Sequence, residues 1–110
     1  MNGCFLKFYV AENRRYRQRL VYEWLLEEAQ TFGLHGGSAF RALAGFGRHG
    51  RLHEEHFFEL AGDVPVEVGF VVTDEEAERF LAHLAAQQLN LFYLRVPVTA
   101  GFTGTPPSCA

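Results

Sequence analysis

The sequence predicts an α+β fold in which two helices cover one face of a four-stranded antiparallel sheet. Residues 4–10 alternate apolar positions as a half-buried strand does, and residues 64–72 repeat the pattern with valines. Each of these strands is followed by a segment whose apolar residues recur at three- and four-residue spacing, which is typical of an amphipathic helix. Two further strands give the order strand, helix, strand, strand, helix, strand. That order is the split β-α-β unit repeated twice, the ferredoxin-like architecture.

The composition fits one small domain. The chain has 110 residues, 48% of them hydrophobic, which predicts one domain over residues 1–96. Residues 97–110 lack periodicity and contain two adjacent prolines, so we expect a flexible C-terminal tail. The formal net charge of -3 argues against nucleic acid as a partner, because binding to a phosphate backbone needs a cationic excess.

The sequence also favours a cytoplasmic location. Cys4 and Cys109 make no disulfide framework, so a reducing compartment is the simpler expectation. We find no signal-peptide pattern and no apolar run near the ~20 residues that cross a bilayer.

Arginines are dense between the first strand and the first helix. After the strand, in which Cys4, Leu6, Phe8 and Val10 share one face, a polar connection over residues 11–18 leads to a helix from about Arg19 to Phe32. Arg14, Arg15, Arg17 and Arg19 are four arginines in six positions. They are either the solvated start of the helix or one wall of an anion site.

The first helix has a clear apolar face and a clear end. Its apolar residues include Trp24, which we expect in the core, and Gly33 follows in the position that suits a left-handed cap.

The next segment, residues 36–50, is the centre of the functional prediction. It is expected to form an apolar strand with Phe40, Ala42, Ala44 and Phe46 on one side, followed by a basic loop over residues 48–56. A strand that leads directly into a flexible loop with Arg48, His49, Arg51 and His53 suits the binding of an anion. His49, His53 and His56 match no established zinc spacing, so we predict no metal site.

The second half ends in a helix and a strand. Thr73 with Glu76 has the spacing of a capping box, followed by a buried stripe of Ala77, Phe80, Leu81 and Leu84. The last strand is expected over residues 89–96.

The sheet face turned away from the helices predicts an oligomer. We expect it to carry a set too aromatic to be left in water and too charged for an ordinary core. The set is Phe5, Lys7, Tyr9, Arg41, Leu43, Glu67, Val71, Leu91, Tyr93 and Arg95.

Residues 4–96 resemble a known family. The residues that carry the likeness are Tyr9-Val10-Ala11-Glu12, Arg15, Arg19, Leu20 to Glu23, Phe40-Arg41, Ala44-Gly45-Phe46-Gly47, Arg51, His53, Asp63, Pro65 and Val66. The pattern F-R-x-x-x-G-F-G followed by R-x-H is the most specific part. It is similar to the PII-like family known as domain of unknown function family 190.

The resemblance implies a PII-like signalling protein, a homotrimer that binds a small anionic ligand in clefts between its subunits. An adenine nucleotide or another anionic metabolite is the candidate ligand, and loop 47–56 would contact a partner protein, a membrane transporter or an enzyme. The candidate ligand-binding residues are Arg15, Arg19, Arg41, Gly45, Phe46, Gly47, Arg51 and His53. Unlike true PII proteins, this chain has no glycine-rich phosphate loop between its last helix and last strand, where Gln87-Gln88-Leu89 stands.

Two other classes of function stay open. One is a small ferredoxin-like enzyme with His53 or His56 as general base and Arg51 stabilising negative charge. No nucleophile is paired with a base at a recognisable spacing, so no catalytic residue is predicted. The other is a structural oligomer without a ligand.

Overall fold

This computed structural model describes residues 1–46, 52–54 and 64–107. The strands are β1 (Asn2–Ala11), β2 (Arg15–Tyr16), β3 (Arg19–Leu20), β4 (Ser38–Arg41), β5 (Ala44–Phe46), β6 (Leu52–Glu54), β7 (Pro65–Val72) and β8 (Phe92–Thr99). The helices are α1 (Val21–Phe32), between β3 and β4, and α2 (Asp74–Ala86), between β7 and β8.

Four strands form one antiparallel sheet in the order β4-β7-β1-β8. This order and the two helices confirm the predicted ferredoxin-like α+β fold. Two small two-stranded sheets, β2 with β3 and β5 with β6, are additions that the sequence did not predict.

The core lies between the sheet and the two helices. Every second residue of β1 is buried, as its alternation predicts, and β7 contributes a matching row. Phe8, Phe70 and Phe80 meet edge to face at the centre, with ring centroids 5.8–6.3 Å apart. They join β1, β7 and α2 into one apolar unit.

The C-terminal end of α1 and the N-terminal start of α2 are capped as predicted. Gly33 adopts a left-handed conformation with φ 95°, and its N–H bonds to the last carbonyls of α1. Thr73 accepts a hydrogen bond from the Glu76 N–H at 3.0 Å, and its own N–H donates to Glu76 Oε1 at 2.8 Å. The capping box is therefore complete, and Trp24 is buried as expected.

The strand predicted after Gly36 is divided. β4 ends at Arg41, the chain bends at Leu43, and β5 leaves the main sheet to pair with β6. The expectation that residues 48–56 are all loop was therefore wrong for Leu52–Glu54. The rest of that segment lies outside the described residues.

In both edge strands, β4 and β8, the side chains that were predicted to face the helices face away from them, and the reverse. In β4, Phe40 pairs with Glu67 and so turns away from the helices, whereas Arg41 pairs with the buried Val66. In β8, Arg95 pairs with the buried Leu6 and binds Glu78 and Asp74 of α2.

The predicted uncovered face is therefore partly wrong. Leu91 and Tyr93 also lie on the helix side, and Leu43 is outside the sheet. We call the uncovered side the open face, formed by Phe5, Lys7, Tyr9, Phe40, Glu67, Val71, Phe92, Leu94 and Val96.

The bounds of the last strand differ from the expected ones as well. β8 begins at Phe92 rather than residue 89, and it continues past Val96 to Thr99, which pairs with Asn2. Pro97 is accommodated because β8 is an edge strand with one hydrogen-bonded neighbour. Residues 100–107 then have no regular secondary structure.

Neither helix in the described part of the chain has the length and hydropathy to cross a membrane.

The aromatic centre gives a stability prediction. Phe80→Ala should lower the free energy of unfolding by about 3–5 kcal/mol, because it removes a fully buried ring and leaves a cavity between Phe8 and Phe70. Urea unfolding monitored by circular dichroism measures the change. Phe102→Ala, at a residue that is 66% exposed, is the matched control and should change it little. Equal effects of the two substitutions would contradict this packing.

Candidate functional site

Three of the predicted ligand residues, Arg15, Arg19 and Arg41, lie at one end of the sheet. The register places Ala11 beside Pro65, Arg41 beside Val66 and Tyr9 beside Phe92. One end of the sheet is therefore formed by the last residues of β1 and β4 and the first residues of β7 and β8. We call it the loop end. The β2–β3 hairpin and the β5–β6 ribbon both start from it.

The β2–β3 hairpin presents the arginines of the first connection. Its two turn residues, Arg17 and Gln18, have φ of 51° and 67°. Two consecutive positive φ values are typical of a type I′ hairpin turn, which usually contains Asn-Gly because other L residues are strained there. Each such residue costs on the order of 1 kcal/mol, so other contacts must stabilise the hairpin.

Three contacts hold the hairpin against the body. The Tyr16 ring packs edge-on to Trp24 with centroids 5.0 Å apart, and its hydroxyl donates to Gln87 Oε1 at 2.9 Å. Arg14 donates to the Asn90 carbonyl at 2.9 Å. The hairpin is thus joined both to α1 and to the connection between α2 and β8.

The arginines of the loop end differ in how they are paired. Arg19 forms an ion pair with Glu27 of α1, and Arg41 Nε donates to Glu12 Oε2 at 2.6 Å. Arg15 donates to the Gln18 carbonyl at 3.2 Å and has no carboxylate partner in the described part of the chain. Of these three predicted arginines, Arg15 could therefore bind an anion without competition from a described carboxylate, whereas Arg19 and Arg41 would have to be shared with or released from one.

A shallow cavity lies against the hairpin. It has a volume of about 270 Å³ and is lined by Arg15, Gln18, Arg19, Leu20 and Glu23. A larger cavity of about 460 Å³ lies between the second half of α1 and the α1–β4 connection, but none of the predicted ligand residues lines it. The hairpin cavity is thus lined by two of the predicted residues, Arg15 and Arg19, whereas Arg41 does not line it.

Three further predicted residues, Gly45, Phe46 and His53, lie in the β5–β6 ribbon. Gly45 and Phe46 lie in β5, and Gly45 pairs with His53 of β6. Gly47 and Arg51 lie outside the described residues, as do His49 and His56 of the histidine cluster. Among the residues that are described, no three His, Cys, Asp or Glu side chains are placed to hold a metal ion.

Sequence reasoning missed the residues that neutralise and support the arginines. Glu12 and Glu27 are the carboxylate partners, and Tyr16 and Gln87 anchor the hairpin. Glu27 lies near the middle of α1, eight residues after Arg19, and this spacing was the available signal. Nothing local in the sequence points from Arg41 to Glu12.

Comparison with known proteins identifies the family. The family model for DUF190, described as "Uncharacterized ACR, COG1993", matches residues 3–92. This chain belongs to the DUF190 family. A relative from Aquifex aeolicus (strain VF5), described as UPF0166 protein, is 30% identical over 89 residues, which cover 81% of this chain and 85% of the relative.

A solved structure carries the same fold. The chain is similar to CPII from Thiomonas intermedia K12, a structure bound to ADP and bicarbonate, with a TM-score of 0.51 and 20% identity over 89% of each chain. At this identity the likeness shows the fold alone. The DUF190 chain therefore shares its ferredoxin-like fold with that structure, and the family match confirms the family that the resemblance indicated.

The strained hairpin turn gives a second prediction. Gln18→Gly should raise the free energy of unfolding by about 0.5–1 kcal/mol, because glycine adopts positive φ without a steric cost. The same substitution at the exposed helical Gln30 is the control and should lower stability by about 1 kcal/mol. Thermal unfolding of both variants measures the difference. Destabilisation by both would mean that residue 18 is not held at positive φ.

Proposed function

We propose that this DUF190 chain is a PII-like regulatory protein that binds a small anionic ligand, an adenine nucleotide being the first candidate. The ligand lies in clefts between the subunits of a homotrimer, and loop 47–56 contacts a partner protein, a membrane transporter or an enzyme. The observation that carries the proposal is the gathering of Arg15, Arg19 and Arg41 at the loop end, directly beside the segment that leads into that loop.

The chemistry of the loop end suits phosphate and carboxylate groups. A guanidinium presents planar, paired donors that match two oxygens of such an anion, and three of them lie at this end. Gly45 and Gly47 add backbone N–H groups without side-chain bulk, and Arg51 and His53 complete the proposed set. These residues take the place of the glycine-rich phosphate loop that the α2–β8 connection lacks.

The carboxylate partners suggest how binding changes the protein. A ligand anion that pairs with Arg41 displaces Glu12, and one that pairs with Arg19 displaces Glu27. Arg41 is the last residue of β4, and the chain enters the proposed partner loop within a few residues. A ligand that binds the rearranged arginines more tightly therefore shifts the population of loop conformations.

The open face supports assembly into an oligomer. Phe40 and Phe92 are 61% and 57% exposed on the two edge strands, and Val71 on β7 and Leu94 and Val96 on β8 add exposed apolar surface to the same face. A contiguous apolar surface of this kind is uncommon on a monomer and typical of a subunit contact. The solved PII structure with ADP and bicarbonate supports the same kind of function for this fold.

Ligand binding is tested by thermal unfolding. ADP, ATP, AMP, bicarbonate and phosphate are added separately, and at least one should raise the melting temperature, because a ligand at 100 times its Kd adds about 2.7 kcal/mol to the folded state. Arg15→Ala and Arg41→Ala should reduce that shift strongly. Arg79→Ala, an exposed arginine on α2, is the matched control and should keep it.

Two outcomes would contradict the ligand proposal. If the melting temperature stays constant with every compound at millimolar concentration, the proposed binding of an anion is contradicted. A shift that survives both arginine substitutions would remove those residues from the site.

The assembly is tested with neighbouring residues of β8. Leu94→Ser should dissociate the protein, because residue 94 lies on the open face and is 40% exposed. Tyr93→Ser is the matched control, since it is 44% exposed on the helix side of the same strand. Analytical ultracentrifugation measures the subunit number, which should be three for the wild type and the control. A monomeric wild-type protein would contradict the assembly.

A further inference from the structure

The open face carries one polar cluster among its apolar side chains. Tyr9 donates from its hydroxyl to Glu67 Oε1 at 3.0 Å, and the Lys7 ammonium lies 3.7 Å from the same oxygen. In the register, Glu67 and Tyr9 lie in one row with Phe40 and Phe92, and Lys7 lies in the next row with Leu94. The cluster is therefore central on this face and is flanked by apolar residues on both sides.

The cluster is held in place by its neighbours. Lys7 Nζ lies over the Phe5 ring, 4.6 Å from its centroid. That ring also lies against Gly69, where an added Cβ would come within 2.4 Å of the Phe5 Cε1 atom. The side chains of Lys7 and Glu67 are only 26% and 28% exposed, so their positions are already restricted in one subunit. Partial burial and the hydrogen bond to Glu67 raise the pKa of Tyr9 above its ordinary value.

The hydrogen bonds of the cluster are incomplete within one chain. Both contacts of Glu67 use Oε1, which leaves Oε2 as an unused acceptor in the described part of the chain. The Lys7 ammonium has three donors, and at 3.7 Å its contact with Glu67 is an ion pair without a direct hydrogen bond. Water can satisfy these groups on an exposed face. Once the face is covered, water no longer reaches these groups, and each one left without a hydrogen bond destabilises the assembly.

The leftover groups define the surface that can cover them. The ion pair is neutral overall, so neither a strongly acidic nor a strongly basic partner is favoured. What the cluster needs is one acceptor for Lys7 and one donor for Glu67, set in an aromatic and aliphatic surround. A second copy of the open face offers both in that surround.

We propose that Lys7 of one subunit donates to Glu67 of a neighbouring subunit, so that the cluster fixes how the open faces of this chain align. The inference rests on the proposed assembly and adds the residues that give it specificity. Apolar side chains alone would tolerate several alignments, whereas a buried polar pair is satisfied in few of them. The apolar residues of the face supply the affinity, and the cluster selects the arrangement.

The test uses charge reversal and rescue between chains. Lys7→Glu places two acidic side chains in the cluster, and Glu67→Lys places two basic ones there. Each variant alone should associate at least tenfold more weakly than the wild type, as measured by analytical ultracentrifugation across a concentration series. Mixing the two purified variants should restore association in part, because two of the three subunit contacts of a mixed trimer then join opposite charges.

Control variants separate this effect from a change in net charge or in folding. Arg79→Glu and Glu75→Lys make the same charge reversals on the exposed side of α2 and should associate as the wild type does. Circular dichroism of each variant reports folding. If a charge reversal prevents folding, Lys7→Gln and Glu67→Gln replace it, with the same expectation of weakened association for each variant alone.

The outcomes distinguish this inference from the proposed function. If the wild type assembles and the cluster variants assemble equally well, the inference is overturned while the assembly stands. If the charge-reversal variants fold and dissociate but their mixture does not associate, the cluster acts only within one chain and the inference is again overturned. If the wild type is monomeric, the proposed assembly itself fails.

Discussion

The edge-to-face contact of Phe8, Phe70 and Phe80 holds the two central strands against α2, and it decides what happens on both sides of the sheet. Successive side chains of a strand point to opposite faces, so burying Phe8 sends Lys7 and Tyr9 to the other face. The two helices cover one side only. A ferredoxin-like chain of this length therefore has an uncovered face as a consequence of its core, and the identity of the residues on it becomes a functional question.

The central strands could be predicted from the sequence because both of their faces are decided by burial. Alternation in β1 and β7 matched the structure, as did the capping box at Thr73 and the glycine cap at residue 33. The edge strands could not be predicted in the same way. Residues 92–96 are all apolar or aromatic except Arg95, at odd and even positions alike. Their own pattern therefore does not specify which face is buried. Register with β1 decides it, and Arg95 is directed to the helix side, where Asp74 and Glu78 bind it. Phe40 and Arg41 reverse for the same reason, since pairing with β7 sets their phase.

In the candidate site, too, some features could be predicted from the sequence and others could not. The density of arginine is visible in the sequence, and Arg15, Arg19 and Arg41 do lie at one end of the sheet. Their partners are not visible, because Glu12 reaches Arg41 only after β1 and β4 have both paired with β7. The hairpin escaped prediction because Arg17-Gln18 lacks the glycine or asparagine that usually marks such a turn, and the conformation is stabilised by Tyr16 with Trp24 and Gln87 instead.

The loop end and the open face are joined through β4. Phe40 points into the open face beside Glu67, and the next residue, Arg41, points to the other side and binds Glu12. A shift of this short strand would therefore change both surfaces together. Phe40 lies beside Glu67 of the polar cluster on the open face. Covering that face would therefore restrain β4, the strand that carries Arg41. By thermodynamic linkage, a ligand that prefers one position of Arg41 would then alter the affinity between subunits, and association would alter the affinity for the ligand by the same factor.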